Sequence, residues 1–490
     1  MPRVLVVGAG PAGLAAAEAL LDGSAGTLDV ELVTLGHHLG GKAASWRDPE
    51  GRVVEHAQHV VLGFYQELKA LLRRSDVSPR ETLVPSHGHY QYWEDRDGSS
   101  HDLYVGDFLP KLLTDWAGYT GFTHAEKAEI TSFVVRLALE IAGPISEELD
   151  DLCFSAWALS RGIPASVAQT NLFRANREVQ LNWPGEISAY SMLRTLKESI
   201  SVPGRYLTAY PSGGMSELWW NPIGARIEAL GGRIARYQKL VGLEHDGESL
   251  TGLTVAQPQW HGPGGRHLAS VPVQEATTRT RTDFDAAVIA VPVSAMQEVL
   301  PADLAARPGF SGIPRLTAIA PLGLQIWHRE TSHARPGTIV GGLEPPLGFA
   351  LDNKHAYDEY RDDPNVGSVL HFAGQMTGFE EDDDETLVRR ALASIRGVKG
   401  YEGLDDDGVL HSRVMRHSGP HAHYWDSEPG SLRHKPRSKT PLKGLYLAGD
   451  WIRGEMGFPC METAVRSGRE AATHVLRDLK GPRRRWGRAA

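Results

Sequence analysis

At 490 residues the chain is longer than one hydrophobic core usually serves, so two closely associated domains are expected. Hydrophobic residues make up 41% and charged residues 23%, a globular balance, and the formal charge of −9 argues against nucleic acid as the main partner. Cys153 and Cys460 are too few and too far apart for a secreted disulfide scaffold, which points to a reducing, cytoplasmic setting.

The chain opens on a predicted strand, Arg3 to Val7, with no space for a leader before it. No apolar run reaches the roughly 18 to 20 residues that a membrane span needs. The stretch VLVVGAGPAGLAAAEALL reads as buried strand, glycine turn and helix, with Gly8, Gly10 and Gly13 at G-x-G-x-x-G spacing and Pro11 and Ala12 opening the helix. Gly8 permits the tight turn, Gly10 lets the backbone approach a pyrophosphate, and Gly13 lets helix and strand pack closely. The helix N-terminus supplies the partial positive charge that phosphate needs. A second strand is expected from Val30 to Leu35. Its end normally carries an acid that holds the adenosine ribose, yet Thr34 stands there, a neutral and weaker partner. Glu31 lies an odd number of residues earlier and so faces the other side of the strand.

Gly40-Gly41-Lys42 forms a second close-approach turn where a nicotinamide domain would run into another crossover helix. Strand-like alternation follows through Val53, Val54 and His59. Residues 105–142 read as helical, with Phe108, Leu109, Leu112, Leu113 and Trp116 at helical spacing, forming either core or a lid beside an apolar entrance. Tyr210 to Ile234 pairs a glycine turn with an amphipathic helix, a Gly231-Gly232 stop and a strand, and 257–272 reads as a hairpin excursion. A buried strand from Ala286 to Ala290 ends at Pro292. The segments TAIAPLGLQIWHRE and VGSVLHFAGQ suit a mixed sheet, and the acidic run Glu380 to Glu385 starts a helix whose later turns carry Arg389 and Arg390.

In RHSGPHAHYW, His421 and His423 would share a strand face, as part of a pocket wall or in ordinary surface or core packing; no cysteine or carboxylate framework accompanies them, and no metal site is expected. Near the end, GLYLAGDWIRGEMGFPCMETAVRSGREAATHVL gives a buried strand, Leu445 to Ala448, closed by Gly449-Asp450. A loop then leads to a helix from about Met461 with small residues Ala464, Gly468, Ala471 and Ala472. The basic tail GPRRRWGR is either a solvated end or a weak contact for an anionic membrane surface.

These segments, in this order, resemble the FAD-dependent amine oxidases and carotenoid desaturases. SWRDPEGRVVEHAQHVVLGFY is most similar to the plant-type phytoene and zeta-carotene desaturases and to the bacterial squalene-associated desaturases, hydroxysqualene dehydroxylase included. The resemblance implies an α/β flavoprotein. Its Rossmann-type FAD-binding domain would be discontinuous, at about 1–75, 205–295 and 440–490, with a mixed α+β substrate domain from 76–204 and 296–439. It further implies that Gly40, Gly41 and Lys42 run along the pyrophosphate and ribityl chain, and that the Val241 backbone meets adenine. Gly449 and Asp450 would meet the ribityl or pyrophosphate end. The helix at Met461 and Ala464 would aim at the flavin pyrimidine edge, where its dipole stabilises charge on the reduced ring.

His59 would pass the flavin ring, in an active-site or proton-handling role or as a buried structural histidine. Glu55, at the start of that segment, reads as structural. Cys460 sits in no cysteine–histidine pattern for covalent attachment, so the FAD is expected to be non-covalent. The implied reaction passes a hydride from a substrate carbon to flavin N5, on an isoprenoid or other apolar small molecule. Amine oxidation is the alternative, with the Trp219-Trp220 pair as its aromatic cage; Lys354 invites comparison with the water-binding lysine of amine oxidases, but its surroundings match desaturases better and it reads as an exposed turn lysine. A redox-neutral flavin isomerase, or a flavin subunit without turnover, is a third reading.

Overall fold

The computed structural model describes all residues except 87–88, 95–97, 105–113, 115, 171–172, 174–184, 202–207, 259–275, 418, 420–422, 455 and 481–490. The apolar positions 108, 109, 112 and 113, the tip of the 257–272 excursion, His421 and the basic tail therefore lie outside the described residues.

Five short strands make a fully parallel sheet: β1 (Arg3–Val7), β2 (Asp29–Val33), β3 (Arg233–Ala235), β4 (Ala286–Ile289) and β5 (Leu445–Leu447). Their order is β3-β2-β1-β4-β5, so strands from widely separated parts of the chain lie side by side. Every residue of β4 and β5 is buried, as parallel strands covered on both faces require. Helix α1 (Pro11–Ser24) follows the first turn with Pro11 in its first turn, and ends where Ala25 takes a left-handed conformation. Helix α2 (Met461–Leu479) lies against it so closely that a Cβ on Gly468 would come 2.1 Å from the Ala12 carbonyl oxygen. The small residues of α2 are thus explained by contact with α1.

β2 stops at Val33, before the Leu35 end that alternation suggests. The reason is local. Thr34 donates its amide to the Ala235 carbonyl at 2.8 Å and accepts the Gln238 amide at 3.0 Å, which turns the chain across the end of β3. β4 and β5 likewise end one residue short of the expected Ala290 and Ala448.

A second, mixed sheet of seven strands runs in the order Val409–Arg416, Pro321–His328, Ser368–Gln375, Leu347–Asp352, Ile339–Gly341, His89–Glu94 and Ser99–Tyr104. The strands at Pro321–His328 and Ser368–Gln375 are those that the sequence suggests, and seven of eight residues in the latter are buried. A helix at Asp384–Ile395 covers this sheet, capped by the Asp383 carboxylate on the Thr386 amide. In the 105–142 region the described helix is His124–Ala142, begun by a reciprocal capping box of Thr123 and Glu126. Among the described residues no helix is long and apolar enough to cross a membrane.

Candidate active site

One cavity of about 1580 Å³ lies between the parallel sheet and the seven-stranded sheet. Its first end is made of backbone. Gly8 has φ +108° and a Cβ there would lie 2.4 Å from the Ala290 carbonyl oxygen, while a Cβ on Gly13 would overlap the Gly8 carbonyl oxygen at 1.7 Å. Gly10 differs: a Cβ there would meet nothing nearer than 4.0 Å and would project into the cavity above the start of α1. Gly8 and Gly13 therefore shape the turn, and Gly10 keeps the space before the helix N-terminus open.

Of the residues singled out in the sequence, Gly8, Gly10, Pro11, Ala12, Thr34, Gly41, Lys42, His59, Gly449, Asp450, Met461 and Ala464 line this cavity. Gly13 and Gly40 stand behind the wall. Gly40 has φ +111°, and a Cβ on it would strike the Trp220 ring at 2.2 Å. Val241 is not among the lining residues; it sits at an irregularity in the strand Lys239–His245, and Lys239 and Leu240 face the cavity instead.

Lys42 joins the Gly40-Gly41 turn to the Gly449-Asp450 strand end electrostatically. Its Nζ lies 3.2 Å from Asp450 Oδ2 and 3.2 Å from the His423 carbonyl oxygen, and sits over the Tyr424 ring at 4.3 Å. His423 thus contributes a carbonyl and is not itself a lining residue, whereas His417 is. His417 donates Nε2–H to the His56 carbonyl at 2.9 Å, and the two imidazoles lie 5.0 Å apart. His59 donates Nδ1–H to the Ala57 carbonyl at 2.8 Å, which leaves Nε2 as its acceptor nitrogen. Burial, aided by the charges of His417 and Lys42, pulls this imidazole down to about 4 despite the Ala57 bond. His59 is neutral at physiological pH. Cys460 caps α2, and burial pushes its thiol up to about 11, so it remains a thiol.

Behind the His59 segment is a buried polar cluster. Tyr357 donates to Glu55 Oε2 at 3.0 Å, Asn353 donates to Gln58 Oε1 at 2.5 Å, and Gln325 donates to the Val53 carbonyl at 2.9 Å. Burial raises the Glu55 carboxyl to about 7, against the bonds from Tyr357 and the Met215 amide. Glu55 is therefore a support for the cavity wall, at one remove from the cavity itself.

The far end of the cavity is built from side chains: Val60, Leu62, Tyr90, Ile339, Phe349, Ala373 and Met415, with Gln58 and Thr208 as polar members, and with Arg413 and His411 preceding Met415 on the same face of its strand. Most sit on the strands of the seven-stranded sheet. Trp219 and Trp220 are fully buried elsewhere, bonded to Thr82 and to the Ala43 carbonyl, and form no part of this wall. Lys354 is likewise committed, to the carbonyls of Asp363 and Val366.

The chain matches the family described as flavin containing amine oxidoreductase over residues 11–476. It belongs to that family. Among curated relatives it is 24% identical to the chloroplastic and chromoplastic 15-cis-phytoene desaturase of Glycine max, over 97% of this chain and 80% of the relative. It is 22% identical to the 15-cis-phytoene desaturase of Synechococcus elongatus, over 97% and 96% respectively. Among solved structures, putrescine oxidase bound to putrescine superposes with a TM-score of 0.68 at 17% identity, covering 97% of this chain and 99% of that one. Cyclohexylamine oxidase from Brevibacterium oxydans gives 0.64 at 16%, covering 98% and 99%. These superpositions establish the fold.

As a member of this family the protein is an FAD-dependent oxidoreductase. The cavity suits that cofactor: the space above Gly10 is open before a helix N-terminus, as a pyrophosphate would require, and Met461 at the start of α2 lines the same cavity as Gly449 and Asp450. Several wall residues escaped the sequence reading, among them Tyr65, Phe349, Met415, His417 and Tyr424. Of these, Tyr65 closes the SWRDPEGRVVEHAQHVVLGFY segment, and His417 and Tyr424 belong to the RHSGPHAHYW run; Phe349 and Met415 carried no signal.

Proposed function

We propose that this enzyme dehydrogenates an activated carbon in an apolar, isoprenoid-like chain. The observation that carries the reading is the far wall of the cavity, where aliphatic and aromatic side chains outnumber polar ones. The carboxylates that line the cavity are committed to cations: Asp48 and Glu50 to Arg52, each at 2.8 Å, and Asp450 to Lys42. A protonated amine would therefore find no unpaired carboxylate, whereas a hydrocarbon needs none. The names of the similar desaturases support the same class of substrate.

Bound FAD supplies a two-electron acceptor for a hydride. The chain supplies position and dryness. Ile339, Phe349 and Met415 exclude water and hold an apolar chain against the first end, and the Lys42–Asp450 pair fixes the two turns that would carry the cofactor. His59, kept neutral by burial, places no charge beside a hydrocarbon and offers Nε2 as a hydrogen-bond acceptor. The test is anaerobic addition of detergent-dispersed isoprenoid hydrocarbons and, separately, primary amines to the holoenzyme. Bleaching of the flavin band by an isoprenoid is expected; bleaching by amines alone overturns the reading.

A further inference from the structure

The end of β2 poses a chemical problem. In a Rossmann-type site this is where the adenosine ribose comes to rest, usually on a carboxylate. Here residues 33–38 and 237–240, which line that end, contain no carboxylate. The acids of β2 are engaged elsewhere. Glu31 pairs with Arg281 at 2.9 Å, and Asp29 with Arg3 at 2.7 Å and Arg233 at 2.9 Å.

Another pair of groups occupies the position. His37 Nδ1 and Tyr237 Oη lie 2.5 Å apart, and their rings stack at 5.9 Å with an interplanar angle of 21°. Both residues line the cavity. They belong to two turns that are stitched together: Thr34 accepts the Gln238 amide, and Arg236 Nε donates to the His37 carbonyl at 3.1 Å. Tyr237 is held at φ +61°, a left-handed backbone that a bulky aromatic residue adopts only when its surroundings impose it. The strain places a phenol, and not merely a turn, beside Thr34.

We propose that His37 and Tyr237 form a clasp for the adenosine half of FAD, doing with two polar rings what a carboxylate does elsewhere. The pair offers an imidazole nitrogen and a phenol oxygen to hydroxyls that both donate and accept, and flat faces against which a purine can lie. Thr34 is the third polar contact. The inference rests on the assignment of this cavity to FAD, and its test separates the two.

FAD dissociation is measured by diluting the holoenzyme and following released flavin fluorescence, for wild type, Tyr237→Phe, His37→Ala and the double variant. FMN, which has no adenosine, is titrated into the deflavinated full-length chain of each. Each single substitution should raise the FAD Kd about 5- to 10-fold. The double variant should lose less than the product of the singles, because they share one bond. FMN affinity should not change. An FAD Kd within twofold of wild type in His37→Ala overturns the clasp, as does an equal loss for FMN, which would report damage to the whole site. A wild type that holds FMN as tightly as FAD would overturn the adenosine site itself.

Discussion

The two ends of the cavity are built by different means. At the first end, Gly8, Gly10 and Gly13 act through what they lack, and the walls are main chain set within a few ångströms of main chain. At the far end Ile339, Phe349, Ala373 and Met415 act through what they carry, on strands whose backbones are engaged in ordinary sheet ladders. A backbone-built site fixes residue identity wherever a single Cβ would collide, as at Gly8 and Gly13, or would fill the space left open, as at Gly10. A wall of side chains fixes only volume and polarity, and many residue sets meet that demand. The first kind of site can keep one cofactor while the second accommodates different substrates. This is how the fold shared with putrescine and cyclohexylamine oxidases can also present an apolar chamber.

The largest effect expected from this contrast is at Gly13. Alanine there would push a methyl group into the Gly8 carbonyl, so the turn must open; Gly13→Ala should cost about 4 kcal/mol or more of stability. Thermal melts of the variant read this directly. A melting temperature within a few degrees of wild type would show that the turn is looser than it looks.

That contrast also sets how far the sequence could be read. The glycine turns, Asp450 and the start of α2 were legible because close backbone approach leaves a spacing behind it. The far wall was not, since Tyr90, Phe349 and Met415 come from strands far apart in the chain and look like ordinary core strand residues. The Trp219-Trp220 pair misleads for the same reason: two adjacent tryptophans suggest a cage, and only packing reveals that they support the Gly40 turn and the short helix Pro79–Thr82. Strand ends were legible to within a residue or two, as at Thr34, whose amide bonds to the end of β3 rather than continuing β2.

The polar cluster beneath the far wall predicts a pH effect. Glu55 has a folded pKa near 7, raised by burial above the ordinary 4.5 of a glutamate. An acid raised in this way stabilises the fold least when ionised. Its contribution is intact below about pH 4.5 and is lost as pH climbs to 7, by about 3 kcal/mol in all. Glu55→Gln cannot ionise, so its unfolding free energy should lack that decline. Denaturant unfolding at several pH values compares the two slopes, and parallel curves would mean that Glu55 titrates normally.

A smaller effect belongs to the Lys42–Asp450 bridge between the Gly40-Gly41 turn and the end of β5. Asp450→Asn leaves Lys42 without its charge partner and offers the cofactor a poorer acceptor. FAD should bind more weakly by about 2 kcal/mol, a factor of about 30 in Kd. Equilibrium dialysis with FAD checks it, and an unchanged Kd in a folded variant would take Asp450 out of the cofactor end.

The most direct test of the division between the two ends is a paired reading on Phe349→Ala. In one sample, the FAD bound per chain is counted and the rate of anaerobic flavin bleaching by a dispersed isoprenoid hydrocarbon is measured. The account predicts full FAD content with bleaching slowed at least tenfold, since the chamber loses the ring that holds an apolar chain while the backbone-built end is untouched. Loss of FAD together with an unchanged bleaching rate in the chains that keep it would contradict the account.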